Sequence, residues 1–236
     1  MRLDRFLYHH SPHGRRAIRP ILAAGRVRVE GAIEKDSQCE IGDFTQVELD
    51  GVLLRADTPV YIMLNKPAGY LSATTDLQHP TVMELIDEPQ TLHIAGRLDR
   101  ATTGLLILTN DGKWSRQLTD PPHHKRDGVP KVYLVETAEP ITQETHAHFT
   151  QGIYFAYEDL TTRPAELEIL TPRQARLTLY EGRYHQIKRM FHAVGNRVTA
   201  LHRLSVGKIQ LDPELKPGQY RTLSEAEVRS ISPVND

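Results

Sequence analysis

The segment 95–112 constrains the fold of this chain more than any other. Four large apolar residues at 105–108 end in an Asn-Asp-Gly turn, and a short apolar run closed by a turn predicts a fully buried strand. The polar loop before it carries one carboxylate, Asp99, between Arg97 and Arg100, and nearby positive charge favours the ionised form of a carboxylate. A loop fixed at the mouth of a buried strand is a common place for functional residues. A surface loop with a local ion pair is the alternative.

Length and composition leave one domain or two open but exclude several classes of protein. The chain has 236 residues, of which 39% are hydrophobic and 25% charged, so it can bury a substantial core. Its net charge of −1 gives no overall attraction for polyanions, and a basic surface must come from local clustering. The single cysteine, Cys39, excludes an internal disulfide. A charged start and the lack of a long apolar run predict a cytoplasmic protein without a membrane span.

The chain is predicted to divide into two domains. Residues 1–56 form a small N-terminal unit, residues 57–60 a linker and residues 61–236 the larger domain. Apolar spacing in the first unit predicts two short helices, and an Asp-Gly pair at 50–51 between two apolar runs predicts a hairpin in a small sheet after them.

The arginine-rich stretch GRRAIRPILAAGRVRVEGAIEKD resembles the S4-type RNA-binding module. The resemblance implies that Arg15, Arg16 and Arg19 face RNA. A solvated arginine-rich surface is the alternative. Pro20 departs from the usual helix of this module and is expected to kink the helix or to mark its first turn.

Residues 183–194 are predicted to form an amphipathic helix, because four apolar residues recur there at i, i+3, i+4 and i+7. Six lysines or arginines and no acid lie between residues 183 and 208, which predicts a positive surface that faces phosphate groups. Lys66, in a turn after the predicted strand 60–64, either lines an RNA groove or belongs to an ordinary loop. The expected RNA contacts on the helix are Arg183, Tyr184, His185, Gln186 and Arg189, beside Lys188.

The segment KVYLV at 131–135 is typical of a strand. Alternation along it puts Val132 and Leu134 on one face and Lys131 and Tyr133 on the other. Tyr133 is therefore expected to point into a second core or into a cleft.

Five segments in combination resemble the RsuA-type branch of the pseudouridine synthases, which isomerise uridine in ribosomal RNA. The resemblance spans nearly the whole chain and implies an α+β fold. Its catalytic domain would have a long mixed, mostly antiparallel sheet with helices packed against it and a central cleft, preceded by the small S4-like α/β domain. The segments are YIMLNKPAGYLSATTD, AGRLDRATTGLLILTNDG, KVYLV, EGRYHQIKRMFHAVGNRVTALHR and GQYRTLSEAE.

The resemblance also implies roles for individual residues. Asp99 corresponds to the catalytic aspartate and Tyr133 to the aromatic residue that stacks on the target uracil. Lys188 corresponds to the basic partner of that aspartate. Arg97 corresponds to the residue that holds the flipped-out nucleotide, and Leu201 to the apolar residue beneath the base.

The implied reaction converts a uridine of 16S ribosomal RNA, uridine 516 in the family, to pseudouridine without a metal or cofactor. It breaks a C–N glycosidic bond, turns the uracil and joins C5 to the same sugar carbon. A carboxylate beside the ribose can attack C1′, stabilise an oxocarbenium-like charge or take a sugar proton, and the residues do not choose among these. The base must leave its stack to be reached.

The implied partner is 16S ribosomal RNA in a small-subunit assembly intermediate, and a monomer is the default expectation. Two alternatives stay open. One is the same chemistry on a 23S ribosomal RNA or tRNA uridine. The other is a non-catalytic RNA-binding or ribosome-assembly factor.

Overall fold

A computed structural model describes residues 1–119 and 128–231. The chain forms two compact units, here called the N-terminal unit (Met1–Pro59) and the C-terminal unit (Val60–Asp236). Within the described ranges, no helix combines the length and the apolar character needed to cross a bilayer.

The N-terminal unit packs two helices on a four-stranded sheet with strand order β2-β1-β3-β4. Leu3, Phe6 and Leu7 of the first helix are buried against Ile18 and Leu22 of the second. The helices are α1 (Leu3–His10) and α2 (Arg15–Ala23), and the strands are β1 (Val27–Val29), β2 (Ala32–Ile33), β3 (Val47–Leu49) and β4 (Val52–Arg55).

Two details of this unit were expected from the sequence, and the structure agrees with them in part. The predicted hairpin is confirmed, since β3 and β4 pair around the turn at Asp50. Pro20 lies inside α2 and not in its first turn.

The C-terminal unit is built on a nine-stranded sheet whose main path runs β11-β12-β8-β13-β7-β5-β15, with β6 on β7 and β14 on β13. Its helices are α3 (Gly112–Thr119), α4 (Gln143–Gln151), α5 (Gln186–Ala193) and α6 (Glu225–Arg229), with a 3-10 turn at Val82–Leu85. The strands of this sheet are β5 (Tyr61–Lys66), β6 (His93–Ala95), β7 (Thr103–Thr109), β8 (Lys131–Thr137), β11 (Glu166–Thr171), β12 (Gln174–Leu179), β13 (Val198–Val206), β14 (Ile209–Gln210) and β15 (Tyr220–Thr222). Strands β9 (Tyr154–Phe155) and β10 (Leu160–Thr161) pair as a separate two-stranded sheet.

Strand β7 lies in the middle of the sheet and contributes to the cores on both of its faces. Leu106 and Leu108 join the core on the side of α4 and α5, while Leu105 and Ile107 join the core on the side of α3 and α6. All four side chains are fully buried, so the predicted buried strand is confirmed. The expected α+β fold with a mixed, mostly antiparallel sheet is confirmed as well.

Gly104 allows β7 and β13 to pair in parallel. It has a φ of +100°, and a Cβ atom there would lie 2.3 Å from the carbonyl oxygen of Arg203. A side chain at this position would meet both backbone strain and a direct clash. The glycine of the TTGLL segment is therefore required by the close approach of β13, whose register partner at this point is Arg203.

The last helix is fixed by an ion-pair network that predicts a pH effect. Arg221 donates to both carboxylate oxygens of Glu227 at 2.9 Å, and Ser224 and Glu227 form the capping box expected from the sequence. The hydrogen bond from Arg221 is the main cause that lowers the pKa of Glu227 from 4.5 to about 2. The network therefore stabilises the fold above pH 4.5, and that contribution is lost as the pH falls toward 2.

We expect Glu227→Gln to lower the free energy of unfolding at pH 7 by about 1–2 kcal/mol. The difference from the wild type should shrink as the pH is lowered from 5 to 3, as measured by urea unfolding at each pH. Glu225→Gln is the matched control, because Glu225 is 85% exposed in its pair with Arg229. A difference for Glu227→Gln that stayed constant across this range would contradict the assignment.

Candidate active site

Asp99 is held by two basic side chains from the other half of the C-terminal unit. The Nζ of Lys188, on α5, lies 2.9 Å from one carboxylate oxygen, and the Nε2 of His185 lies 3.3 Å from the other. The Asp99 side chain is 26% exposed, so it remains open to solvent on one side. The structure thus brings Asp99 and Lys188 together across 89 positions of sequence, and it adds His185 as a second partner.

The arginines next to Asp99 in sequence are not its partners, so the alternative of a local ion pair is not what the structure shows. In the described residues, no ion pair joins Asp99 to Arg97 or Arg100. Arg100 donates instead to the carbonyl of Gly69 at 3.0 Å, and the side chain of Arg97 is exposed. The positive charge that faces Asp99 comes from Lys188, and His185 lies against the other carboxylate oxygen.

Arg203 is a buried residue that binds the backbone of the segment just before Asp99. It is 3% exposed, and its guanidinium donates to the carbonyls of Leu105 at 2.8 Å, Gly96 at 3.3 Å and Arg97 at 3.4 Å. A buried guanidinium needs such acceptors, because desolvating an unpartnered charge is costly. The guanidinium of Arg203 therefore joins the start of β7 to the residues that lead into Asp99.

Ser72 fixes the residue that directly precedes the aspartate. Its hydroxyl accepts from the Leu98 amide at 3.1 Å and donates to the Leu98 carbonyl at 2.9 Å. Both hydrogen bonds are buried, so the pair is shielded from competition by water.

Lys66 fixes the residues that follow the aspartate, which corrects its expected role. It is fully buried, and its ammonium group donates to the carbonyls of Thr102 at 2.8 Å, Pro67 at 3.0 Å and Arg100 at 3.2 Å. Burial lowers its pKa to about 8, against the opposing effect of the Asp99 charge. With no exposed surface and its donors occupied, Lys66 does not line an RNA groove.

Helix α5 begins at Gln186, three residues later than the predicted start at residue 183. His185 has a φ of +49°, a left-handed conformation that is uncommon for a non-glycine residue, and the helix starts at Gln186. The side-chain amide of Gln186 accepts from the backbone of Arg183 at 3.0 Å and donates to Glu181 at 2.7 Å. Gln186 is 3% exposed and closes this turn, so its expected contact with RNA is wrong. Tyr184 is 76% exposed and stacks on His185 with 3.9 Å between ring centroids.

The basic surface of α5 is partly neutralised by an acid that lies outside the segment 183–208. Glu158, in the turn between β9 and β10, pairs with both Arg183 and Arg189. The hydrogen bond from Arg189 is the main cause that lowers the pKa of Glu158. Arg183 also pairs with Glu181 at 3.2 Å. The expectation of an acid-free surface is therefore wrong for these two arginines.

Tyr133 and Leu201 lie on the sheet face that carries α5. Tyr133 is 9% exposed, and in the β8–β13 register it is opposite Arg203, the residue that holds the Asp99 loop. Leu201 is opposite Val135, two positions along β8 and therefore on the same face. Both side chains pack in the core under α5. Of the two places expected for Tyr133, it occupies mainly the core.

Three of the predicted RNA contacts belong to the N-terminal unit. Arg15, Arg16 and Arg19 are all exposed on α2.

The fold and the carboxylate site now have a counterpart among known proteins. Residues 60–193, more than half of the chain, match the model of a family described as RNA pseudouridylate synthase. The chain belongs to this family and is an RNA-modifying isomerase.

The similarity to individual family members extends over the full chain. The ribosomal small subunit pseudouridine synthase A of Pseudomonas aeruginosa is 51% identical over 98% of this chain and all of its own length. The protein of the same name from Escherichia coli K12 is 44% identical with the same coverage. A solved structure described as a pseudouridylate synthase is 38% identical, covers 98% of this chain and all of its own, and superposes with a TM-score of 0.70. Within the family the chain thus resembles the RsuA-type branch.

Proposed function

We propose that this protein converts a uridine of small-subunit ribosomal RNA, uridine 516 of 16S ribosomal RNA, to pseudouridine. The observation that carries the proposal is the partly exposed Asp99 carboxylate between Lys188 and His185, on a fold shared with pseudouridine synthases. The substrate is supported by the names of relatives that match the chain from end to end.

In the proposed reaction, Asp99 acts on the ribose of a uridine that has left its stack. Lys188 and His185 stabilise its negative charge where RNA excludes water. The carboxylate attacks C1′, stabilises the positive charge that develops as the glycosidic bond breaks, or takes a proton from the sugar. The freed uracil turns, its C5 bonds to C1′, C5 then loses its proton and N1 gains one, so the product has the same atoms as the uridine.

The base is proposed to sit between Tyr133 and Leu201. Stacking on an aromatic ring contributes about 1–3 kcal/mol, which offsets part of the cost of unstacking. Because Tyr133 is 9% exposed, its ring has to become more accessible when the base enters. Arg97, exposed beside the carboxylate, is proposed to hold the flipped-out nucleotide.

The N-terminal unit is proposed to be an S4-like RNA-binding domain, residues 1–56 with a linker at 57–60. Two helices on a small sheet and the exposed arginines of α2 support this assignment. We further propose that the protein acts as a monomer in the cytoplasm on an assembly intermediate of the small subunit.

The direct test is to map pseudouridine at single-nucleotide resolution in ribosomal RNA and tRNA from cells with and without the gene. The purified protein is tested in parallel on 16S ribosomal RNA. The expected result is one small-subunit position that is pseudouridine only when the protein is present. If the dependent position lay in 23S ribosomal RNA or in a tRNA, it would replace the proposed substrate, and the absence of any dependent position would contradict the proposed activity.

A further inference from the structure

A cavity of about 490 Å³ runs along α5 on the side away from the core. Its walls come from α5, from β9 and from the segment that leads into β13. The lining residues that matter here are His185, Lys188, Arg189, His192, Arg197 and Tyr154.

The cavity adjoins the carboxylate site, because two side chains belong to both. His185 and Lys188 contact Asp99 and also line the cavity. His192 follows Lys188 by four residues, so it lies on the same face of the helix, one turn further on. A chain that reaches Asp99 can therefore continue along α5 past His192 to Arg197.

The charge of the cavity walls is of one sign. Five of the eleven lining residues are Lys, Arg or His, and none is Asp or Glu. Arg189 is held in place by Glu158 and by the ring of Phe155, with 3.7 Å from the guanidinium carbon to the ring centroid. His192 and Arg197 are exposed and form no ion pair with any residue in the ranges that the structure describes. They are basic side chains that are free to donate a hydrogen bond to an anion.

The cavity also carries an aromatic surface. Tyr154 is 58% exposed, and its hydroxyl donates to Asp159 at 2.9 Å, which anchors the tip of the side chain. A fixed, exposed aromatic ring beside cations is the arrangement that binds single-stranded nucleic acid without reading its sequence.

We propose that this cavity binds one nucleotide that flanks the target uridine in the same RNA strand. Its phosphodiester would lie against His192 and Arg197, and its base against Tyr154. The inference rests on the proposed function, since it takes the RNA strand at Asp99 as the occupant of the adjoining space. It assigns to the cavity a binding role separate from the chemistry at Asp99.

The test compares Arg197→Ala, His192→Ala and the double variant with the wild type on an RNA fragment that contains the target uridine. Each single variant should raise KM about tenfold, the effect expected from removing one charge-assisted hydrogen bond, with kcat unchanged. The slope of log KM against log salt should fall by roughly 0.7 for each phosphate that is no longer neutralised. Arg229→Ala, on α6 at the opposite sheet face, is the control and should leave both quantities unchanged.

Truncated substrates test the position of the nucleotide. RNA fragments are shortened one nucleotide at a time from the 5′ side and, separately, from the 3′ side of the target. The KM penalty of Arg197→Ala should vanish on one side only, at the step that removes the nucleotide in the cavity, because the wild-type arginine then has no phosphate to bind either.

The outcomes separate this inference from the proposed function. If the wild type forms no pseudouridine in any RNA, the proposed function fails first. If the wild type is active and Arg197→Ala and His192→Ala leave KM and its salt dependence unchanged, the cavity inference is wrong and the activity stands. An increase in KM for Arg197→Ala that persists on every truncated substrate would also overturn the cavity inference, since the effect would then come from elsewhere in the molecule.

Discussion

Asp99→Asn is expected to abolish pseudouridine formation, with kcat lowered by at least about 10⁴-fold, the scale of loss for a residue that acts directly in the chemistry. Asparagine has nearly the same volume, but it carries no negative charge and points an NH₂ group or a neutral oxygen at Lys188 and His185. RNA affinity should stay within about threefold of the wild type, because the phosphate contacts lie on other side chains. Single-turnover conversion of 16S ribosomal RNA and a filter-binding titration measure the two effects.

The matched control for this variant is Asp87→Asn, an exposed carboxylate of the same unit that changes the net charge by the same amount. Its activity should equal that of the wild type. If the Asp99→Asn protein kept its activity, the carboxylate would have no part in the reaction. One that lost activity and RNA binding together, with a lowered unfolding midpoint, would show that the variant had damaged the fold rather than the reaction.

Periodicity located the main elements of the fold because these elements are amphipathic or wholly buried. The run at 105–108 and the spacing of Ile187, Met190 and Phe191 predicted β7 and α5, and all of these residues are buried. Helix boundaries were less predictable. The left-handed His185 shifts the start of α5 to Gln186, and that conformation leaves no mark on hydrophobic spacing.

The contact between Asp99 and Lys188 was predictable from the combination of motifs, but the support of the Asp99 loop was not. Lys66 and Arg203 bind backbone carbonyls, and a carbonyl carries no residue type that a sequence pattern can show. Glu158 was missed because its pairs with Arg183 and Arg189 depend on the hairpin fold of β9 and β10. One signal was available for Arg203. It lies two positions after the core-facing Leu201 on β13, so its side chain is on the same face of the sheet. A charged residue at a core-facing position indicates that it has a buried partner.

Arg203→Lys tests whether the buried guanidinium of Arg203 positions the loop that carries Asp99. Lysine keeps the charge but has one ammonium group on a flexible stem, so it cannot reach the carbonyl of Leu105 and those of Gly96 and Arg97 together. We expect kcat to fall about 100-fold, because a displacement of about 1 Å in a catalytic group has an effect of this size. KM should change less than about threefold, since Arg203 is buried and does not reach the RNA surface.

A loss of stability accompanies this variant and has to be separated from the loss of positioning. Breaking charge-assisted hydrogen bonds of a buried group lowers the free energy of unfolding by about 1–3 kcal/mol. Trp114→Phe provides the comparison, because it removes the indole hydrogen bond to the Val228 carbonyl in the core on the other sheet face and is expected to cost about 1–2 kcal/mol without touching the Asp99 loop. If both variants are assayed well below their unfolding midpoints, only Arg203→Lys should lose kcat. An equal loss of kcat in both variants would show that Arg203 only stabilises the fold. A loss of kcat in Arg203→Lys alone would show that the position of the Asp99 carboxylate depends on a buried cation that does not contact the substrate.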